Sequence, residues 1–191
     1  MTPASSDGSA PAASGLDSKK DPSRKPPTLT ICPDEVPIIL AAYPHWIRWR
    51  WSWVEKQLKW TKVPVHPTLA RNASTSNPST WGKFETAVAN LNVHGVDGVG
   101  FVFTAADPFC GIDIDSCRDP RTGLISELAR SVMEAIPCYA EVSVSGTGVH
   151  VITRGSLGGR SGGKSGALEV YDRGRYFTFT GHRLLPGRAG E

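Results

Sequence analysis

The stretch HWIRWRWSW, residues 45–53, constrains the fold most. From Ile47 onward, Ile47, Trp49, Trp51 and Trp53 alternate with Arg48, Arg50 and Ser52. Successive strand side chains point to opposite faces, so a period of two specifies a half-buried β-strand. KWTKVPV, residues 59–65, repeats the β character after a short turn, and the two runs are expected to pair as a hairpin. Trp46, Trp49, Trp51 and Trp53 are read as packing residues. Stacking on nucleic-acid bases, at about 1–3 kcal/mol per base, is the competing use of such side chains.

The rest of the chain mixes both periodicities. DEVPIILAAYP (34–44) reads as a short helix closed by Pro44, and HPTLARNASTSNP (66–78) as loop. STWGKFETAVANL (79–91) has a Ser/Thr cap candidate and sets Trp81, Phe84, Val88 and Leu91 on one helical face. VGFVFT and FCGIDIDS, separated by a tight AADP turn, read as a second hairpin. LISELARSVMEAI (124–136) is an amphipathic helix stopped by Pro137. YAEVSVSG, VHVITRG, ALEVYDRG and RYFTFTGHRL are four β-type runs joined by glycine-rich turns. No period of 20–50 residues recurs, which excludes a solenoid. The order predicts an α+β, two-layer domain with a largely antiparallel sheet.

Residues 1–30, rich in Pro, Ser, Ala, Gly and Lys, bury too little to offset the entropy of ordering and read as a disordered tail, leaving 31–191 as the domain. There is no secretory h-region and no apolar run near the ~20 residues of a membrane span, so a soluble, cytoplasmic chain without membrane contact is expected. Cys32, Cys110, Cys117 and Cys138 are scattered without C-x-x-C spacing, which suits reduced thiols rather than disulfides or zinc. A net charge of +3 tolerates a nucleic-acid partner without demanding one.

GGRSGGKSG, residues 158–166, satisfies G-x-x-x-x-G-K-[ST] literally. A working phosphate loop leads into a helix whose N-terminus faces the phosphates. GALEVYDRGRYFTFTG follows instead, β-branched, aromatic and without helical period. The run therefore reads as a connection between strands, with Arg160 and Lys164 as loop cations.

Three other runs carry chemistry. In GIDID, Asp113 and Asp115 project from one face of a strand while Ile112 and Ile114 take the other. Paired carboxylates repel unless a cation sits between them, and hard oxygen ligands suit Mg²⁺ or Mn²⁺; a solvated acidic face is the alternative. In SVSGTGVHV, His150 opens a strand after a turn of Ser145, Gly146, Thr147 and Gly148 that suits an anion; a structural histidine is the alternative. In GALEVYD, Glu169 lies among apolar neighbours where an unpaired acid is costly, so Glu169 is the better ligand and Asp172 a turn residue.

This ordered set, with RYFTFTG after it and KWTKVP…ASTSNPSTWGKFETA before it, resembles the archaeo-eukaryotic primase superfamily. More narrowly, residues 35–185 resemble the primase-polymerase domains of phage and plasmid replication proteins. The resemblance implies a two-layer α/β primase-polymerase fold with an RRM-like catalytic sheet. It implies a nucleotidyltransferase, a DNA primase and DNA-directed DNA polymerase working by two-metal chemistry on single-stranded DNA template. Asp113, Asp115 and Glu169 would hold Mg²⁺ or Mn²⁺, and His150 would act beside them. Ser145, Thr147, Gly148, His150, Lys164 and Arg175 would contact the (d)NTP. Lys62 and Arg71 would contact template or nucleotide, and a replicative helicase would act in cis or in trans. Gly148 departs from the pattern, since the family often has Ser there; the hydroxyl role then falls to Ser145 or Thr147. A non-catalytic single-stranded-DNA or origin-binding module on the same fold is the competing expectation.

Overall fold

The tryptophan-rich run is the centre of a sheet. In the computed structural model, which describes residues 21–160 and 162–185, β1 (Trp46–Val54) pairs antiparallel with β2 (Lys59–Val65), with Trp53 opposite Trp60. On its other edge β1 pairs with β3 (Gly98–Phe103), and β3 with β9 (Arg175–Phe179), giving the order β2-β1-β3-β9. The remaining strands are β4 (Phe109–Ile114), β5 (Tyr139–Val142), β6 (Val149–Arg154), β7 (Gly163–Ser165), β8 (Leu168–Tyr171) and β10 (Arg183–Leu184). They form a second antiparallel sheet in the order β10-β5-β6-β4-β8-β7.

The α+β class and antiparallel pairing match the sequence reading, but there are two sheets where one was expected. The hairpin expected of residues 99–116 does not form. Both edges of β3 are taken by β1 and β9, so β4 must join the other sheet. The crossing is built by Asp107, whose carboxylate accepts from Thr104 N at 2.7 Å and Phe109 N at 3.0 Å.

Phe101, Phe103, Phe177 and Phe179 of the four-stranded sheet share a core with Phe109 and Ile152 of the six-stranded one. At Gly111 the approach is so close that a Cβ would lie 2.6 Å from the Phe177 ring, so only glycine fits. The opposite face of the six-stranded sheet buries Ile112, Ile114, Val149 and Val151 against Ala129 and Met133 of α3 (Glu127–Ala135). Ser126 caps α3 by accepting from Ala129 N at 3.3 Å.

The two earlier helices are shorter than their periodicity suggests. Pro37 has no N–H to donate, and it splits the first into a 3₁₀ turn, Pro33–Glu35, and α1, Ile38–Ala41. In the second, Asn77 caps a 3₁₀ turn, Pro78–Thr80, and Gly82 is held in a β-bridge with Trp46. α2 is thereby confined to Phe84–Ala89, and Trp81 packs with Ile47 and Val102 instead of lying on the helix.

Trp46 and Trp49 are fully buried, and Trp49 meets Trp51 edge to face at 5.5 Å, which is packing. Residues 1–20 of the expected tail lie outside the described residues. Residues 21–30 run along the domain: Leu29 N donates to Val144 O, Trp60 Nε1 to Asp21 O and Trp51 Nε1 to Thr28 Oγ1. Among the described residues no helix is long and apolar enough to cross a membrane, and all four cysteines are free.

Candidate functional site

Strand register assembles the site. Directly opposed residues of antiparallel strands share a face with Cβ atoms about 4.5–5.5 Å apart. Asp113 of β4 stands opposite His150 of β6 on one side and Glu169 of β8 on the other. His150 stands opposite Glu141 of β5, Glu141 opposite Arg183 of β10, and Glu169 opposite Lys164 of β7. One row of polar side chains thus crosses all six strands: Arg183, Glu141, His150, Asp113, Glu169, Lys164. Asp115 lies just past β4, kept in register by its N–H on Ala167 O at 2.8 Å.

His150 is buried with a carboxylate near each ring nitrogen. Its Nδ1 lies 3.4 Å from Glu141 Oε1 and its Nε2 3.7 Å from Asp113 Oδ1. The Phe177 ring, 5.2 Å away, packs beside the imidazole. Burial opposes protonation of His150, but Asp113 and Glu141 outweigh it and raise the pKa above the ordinary histidine value.

At the other end, the Lys164 ammonium bridges Asp115 Oδ2 at 2.7 Å and Glu169 Oε1 at 2.6 Å. Those two hydrogen bonds raise the Lys164 pKa. Lys164 is therefore a strand residue engaged with carboxylates, not a loop cation. The last part of the glycine-rich run is itself strand β7 and the strand β8 follows it, so the helix a phosphate loop needs is not there. Among the described residues, no three His, Cys, Asp or Glu side chains converge as a metal cage. Asp113, Asp115 and Glu169 nevertheless offer carboxylate oxygens, the donor type a hard divalent ion takes, and a cationic side chain already spans two of them.

A cavity of about 590 Å³ opens over the middle of this row, with Lys164 and Asp115 outside its lining. Asp113, His150 and Glu169 line it from one sheet; Trp51, Lys62, Arg175 and Tyr176 line it from the other. The Lys62 ammonium lies 5.7 Å over the Trp51 ring, and the Arg175 guanidinium 5.1 Å over Tyr171.

The remaining expected residues are placed differently. Gly148 donates its amide to Ser143 Oγ at 3.0 Å, which spends on the protein the N–H that was expected to meet a phosphate. A Cβ at Gly148 would sit 2.9 Å from both Ile114 O and Ser143 Oγ, which accounts for glycine where the family often has serine. The half-buried hydroxyls of Ser145 and Thr147 bond to each other at 2.9 Å, and neither residue is on the cavity lining. Arg71 is exposed on the loop after β2, where its carbonyl accepts from His66 N; it too is off the lining. Asp172 is more than a turn residue. Buried, it accepts from Leu157 N at 2.8 Å and Ser156 Oγ at 3.2 Å and pairs with Arg173 at 2.9 Å. The Arg173 hydrogen bonds, against the effect of burial and with help from Leu157 and Ser156, hold its pKa well below the usual carboxylate range.

Glu141 is absent from the sequence reading, although the reasoning applied to Glu169 covers it equally: an acid inside the apolar run YAEVSV is costly to bury unpaired.

No protein-family model matches the chain. The chain is similar in sequence to a primase-polymerase. It is 38% identical over 161 residues to the protein named DNA Primase-polymerase of Nitratiruptor phage NrS-1, an alignment that takes in 81% of this chain. It spans 21% of the length of that phage protein.

Proposed function

We propose that this chain is a nucleotidyltransferase domain, a DNA primase and DNA-directed polymerase of phage or plasmid replication, joining (d)NTPs on single-stranded DNA template. The observation that carries the reading is the row in which Asp113, Glu169 and His150 stand on adjacent strands beneath one cavity, in a chain similar in sequence to a primase-polymerase.

In the proposed reaction a primer 3′-hydroxyl attacks the α-phosphorus, a new P–O bond forms, and pyrophosphate leaves. Asp113, Asp115 and Glu169 would hold Mg²⁺ or Mn²⁺; bound there, such ions activate the hydroxyl and neutralise the charge that grows on the triphosphate. His150, whose Nε2 lies beside Asp113, lines the cavity and would contact the triphosphate. Lys62 and Arg175 face the row across the cavity and bring positive charge to the phosphates. Lys164, which bridges Asp115 and Glu169, would be released if those carboxylates held an ion and would then be available to the leaving phosphates. A replicative helicase, in cis or in trans, would supply the unwound template.

The test is primer synthesis and primer extension with Mg²⁺ or Mn²⁺, comparing wild type with Asp113→Ala/Asp115→Ala. Extension by the wild type and none by the variant is expected; equal activity in both overturns the site. Metal-independent DNA binding that survives loss of all three acids, with no turnover in the wild type, would select the non-catalytic binding module.

A further inference from the structure

Glu141 is the one carboxylate of the row turned wholly inward. It is completely buried, yet among the described residues it is not paired with a lysine or arginine at ion-pair distance. Donors surround it instead: Tyr139 O–H at 2.7 Å on Oε2, Gly181 N–H at 2.8 Å on Oε2, and Thr180 N–H at 3.1–3.2 Å shared between both oxygens. The fourth neighbour is His150, whose Nδ1 lies 3.4 Å from Oε1. Only an acceptor-only group satisfies three fixed donors and still has a lone pair for the ring. An amide would turn an N–H₂ toward one of these donors. β5 and β6 hold Glu141 directly opposite His150, and the backbone of Thr180 and Gly181, just after β9, holds its oxygens still.

Resting on the reading of His150 as a triphosphate contact, we infer that Glu141 is a positioning residue acting through His150: it accepts from Nδ1, pins the ring plane, and so keeps Nε2 facing Asp113 and the cavity. Orienting groups of this kind fix an imidazole's direction without touching substrate. The Phe177 ring beside His150 restricts the imidazole by contact, but it cannot choose which edge faces the cavity. Glu141 makes that choice.

The test uses the whole chain and two readouts. The first is the ring signal of His150 in protein carrying ¹³C-labelled histidine, identified by its loss in His150→Ala. Glu141→Gln is expected to shift or broaden that signal; an unchanged signal overturns the inference. The second is equilibrium binding of Mg-dATP without template. Glu141→Gln and His150→Ala should each weaken binding about tenfold, the scale of one charge-assisted hydrogen bond, and the double variant should be no weaker than His150→Ala alone. Losses that multiply in the double variant overturn the inference, because Glu141 would then act independently of the ring. Tyr139→Phe leaves the carboxylate in place and removes one of its donors. It should weaken dATP binding about twofold, with no effect in the His150→Ala background. It carries the same cycle should Glu141→Gln fail to fold. If the ring signal moves while His150→Ala binds dATP like the wild type, positioning by Glu141 stands and the nucleotide role of His150 falls.

Discussion

The two sheets both bury charge at their centres, and they neutralise it differently. In the four-stranded sheet, Arg48 has no exposed surface and, among the described residues, no carboxylate partner. Its guanidinium donates to four main-chain carbonyls, those of His66, Leu69, Asn90 and Val93, at 2.7–3.0 Å. This ties the loop after β2 and the end of α2 to β1, and the bonding capacity of the side chain is spent on the fold. In the six-stranded sheet the charges answer one another along a row, and the acids at its centre, with Asp115 beside them, outnumber their local partners. Asp113, Asp115 and Glu169 share Lys164 and one edge of His150. A charge enclosed by carbonyls holds structure together. Carboxylates that the protein leaves half-exposed and only partly neutralised retain affinity for a ligand cation.

That contrast can be broken or sharpened by substitution. The largest effect is expected from Asp113→Ala/Asp115→Ala. Primer extension should fall by about a thousandfold, equivalent to about 4 kcal/mol of barrier, while the thermal midpoint moves by only a few degrees. A midpoint that collapses would mean that the row is structural after all. Arg48→Met should do the reverse, costing about 3 kcal/mol or more in urea unfolding because four carbonyls lose their buried donor. Extension per folded molecule should be unchanged, and a stability equal to wild type would undo the comparison.

Smaller effects refine it. Asp172→Asn should cost about 1–2 kcal/mol at pH 7, since the carboxylate anchors Ser156 and Leu157. The folded-state pKa of Asp172 lies below its ordinary 3.8, so its contribution is full above 3.8 and is lost as pH falls through the folded value. Chemical unfolding of wild type and variant from pH 7 downward should therefore converge at the acid end; a constant gap would assign the stabilisation to shape rather than charge. The smallest expected effect is at the partly exposed bridge: Lys164→Met should tighten Mn²⁺ binding about threefold, read by the loss of free-ion EPR signal, because the competing cation is gone. Weaker binding would show that Lys164 supports the ion instead of displacing it.

Local pattern carried much of this protein. Alternation in residues 46–54 specified a strand, because period two has one structural meaning, and the spacing of Asp113 and Asp115 placed both on one face before any partner was known. The glycine-rich run at 158–166 could be refused as a phosphate loop from the β-type residues after it. Spacing does not encode which strand edges are free. That β3 has none, and so sends β4 to another sheet, depends on pairings with β1 and β9 made at long range. The same holds for Arg48, which alternation assigns to a polar side but which folded loops enclose with carbonyls. It holds again for Gly148, whose amide is claimed by a hydroxyl five residues away, and for Glu141. Sequence alone determined which residue types could do chemistry and which way each strand turned them. Only the tertiary structure decided which met, because cross-strand register sets side chains from residues 113, 141, 150, 164 and 169 next to one another, and register is a property of the whole sheet.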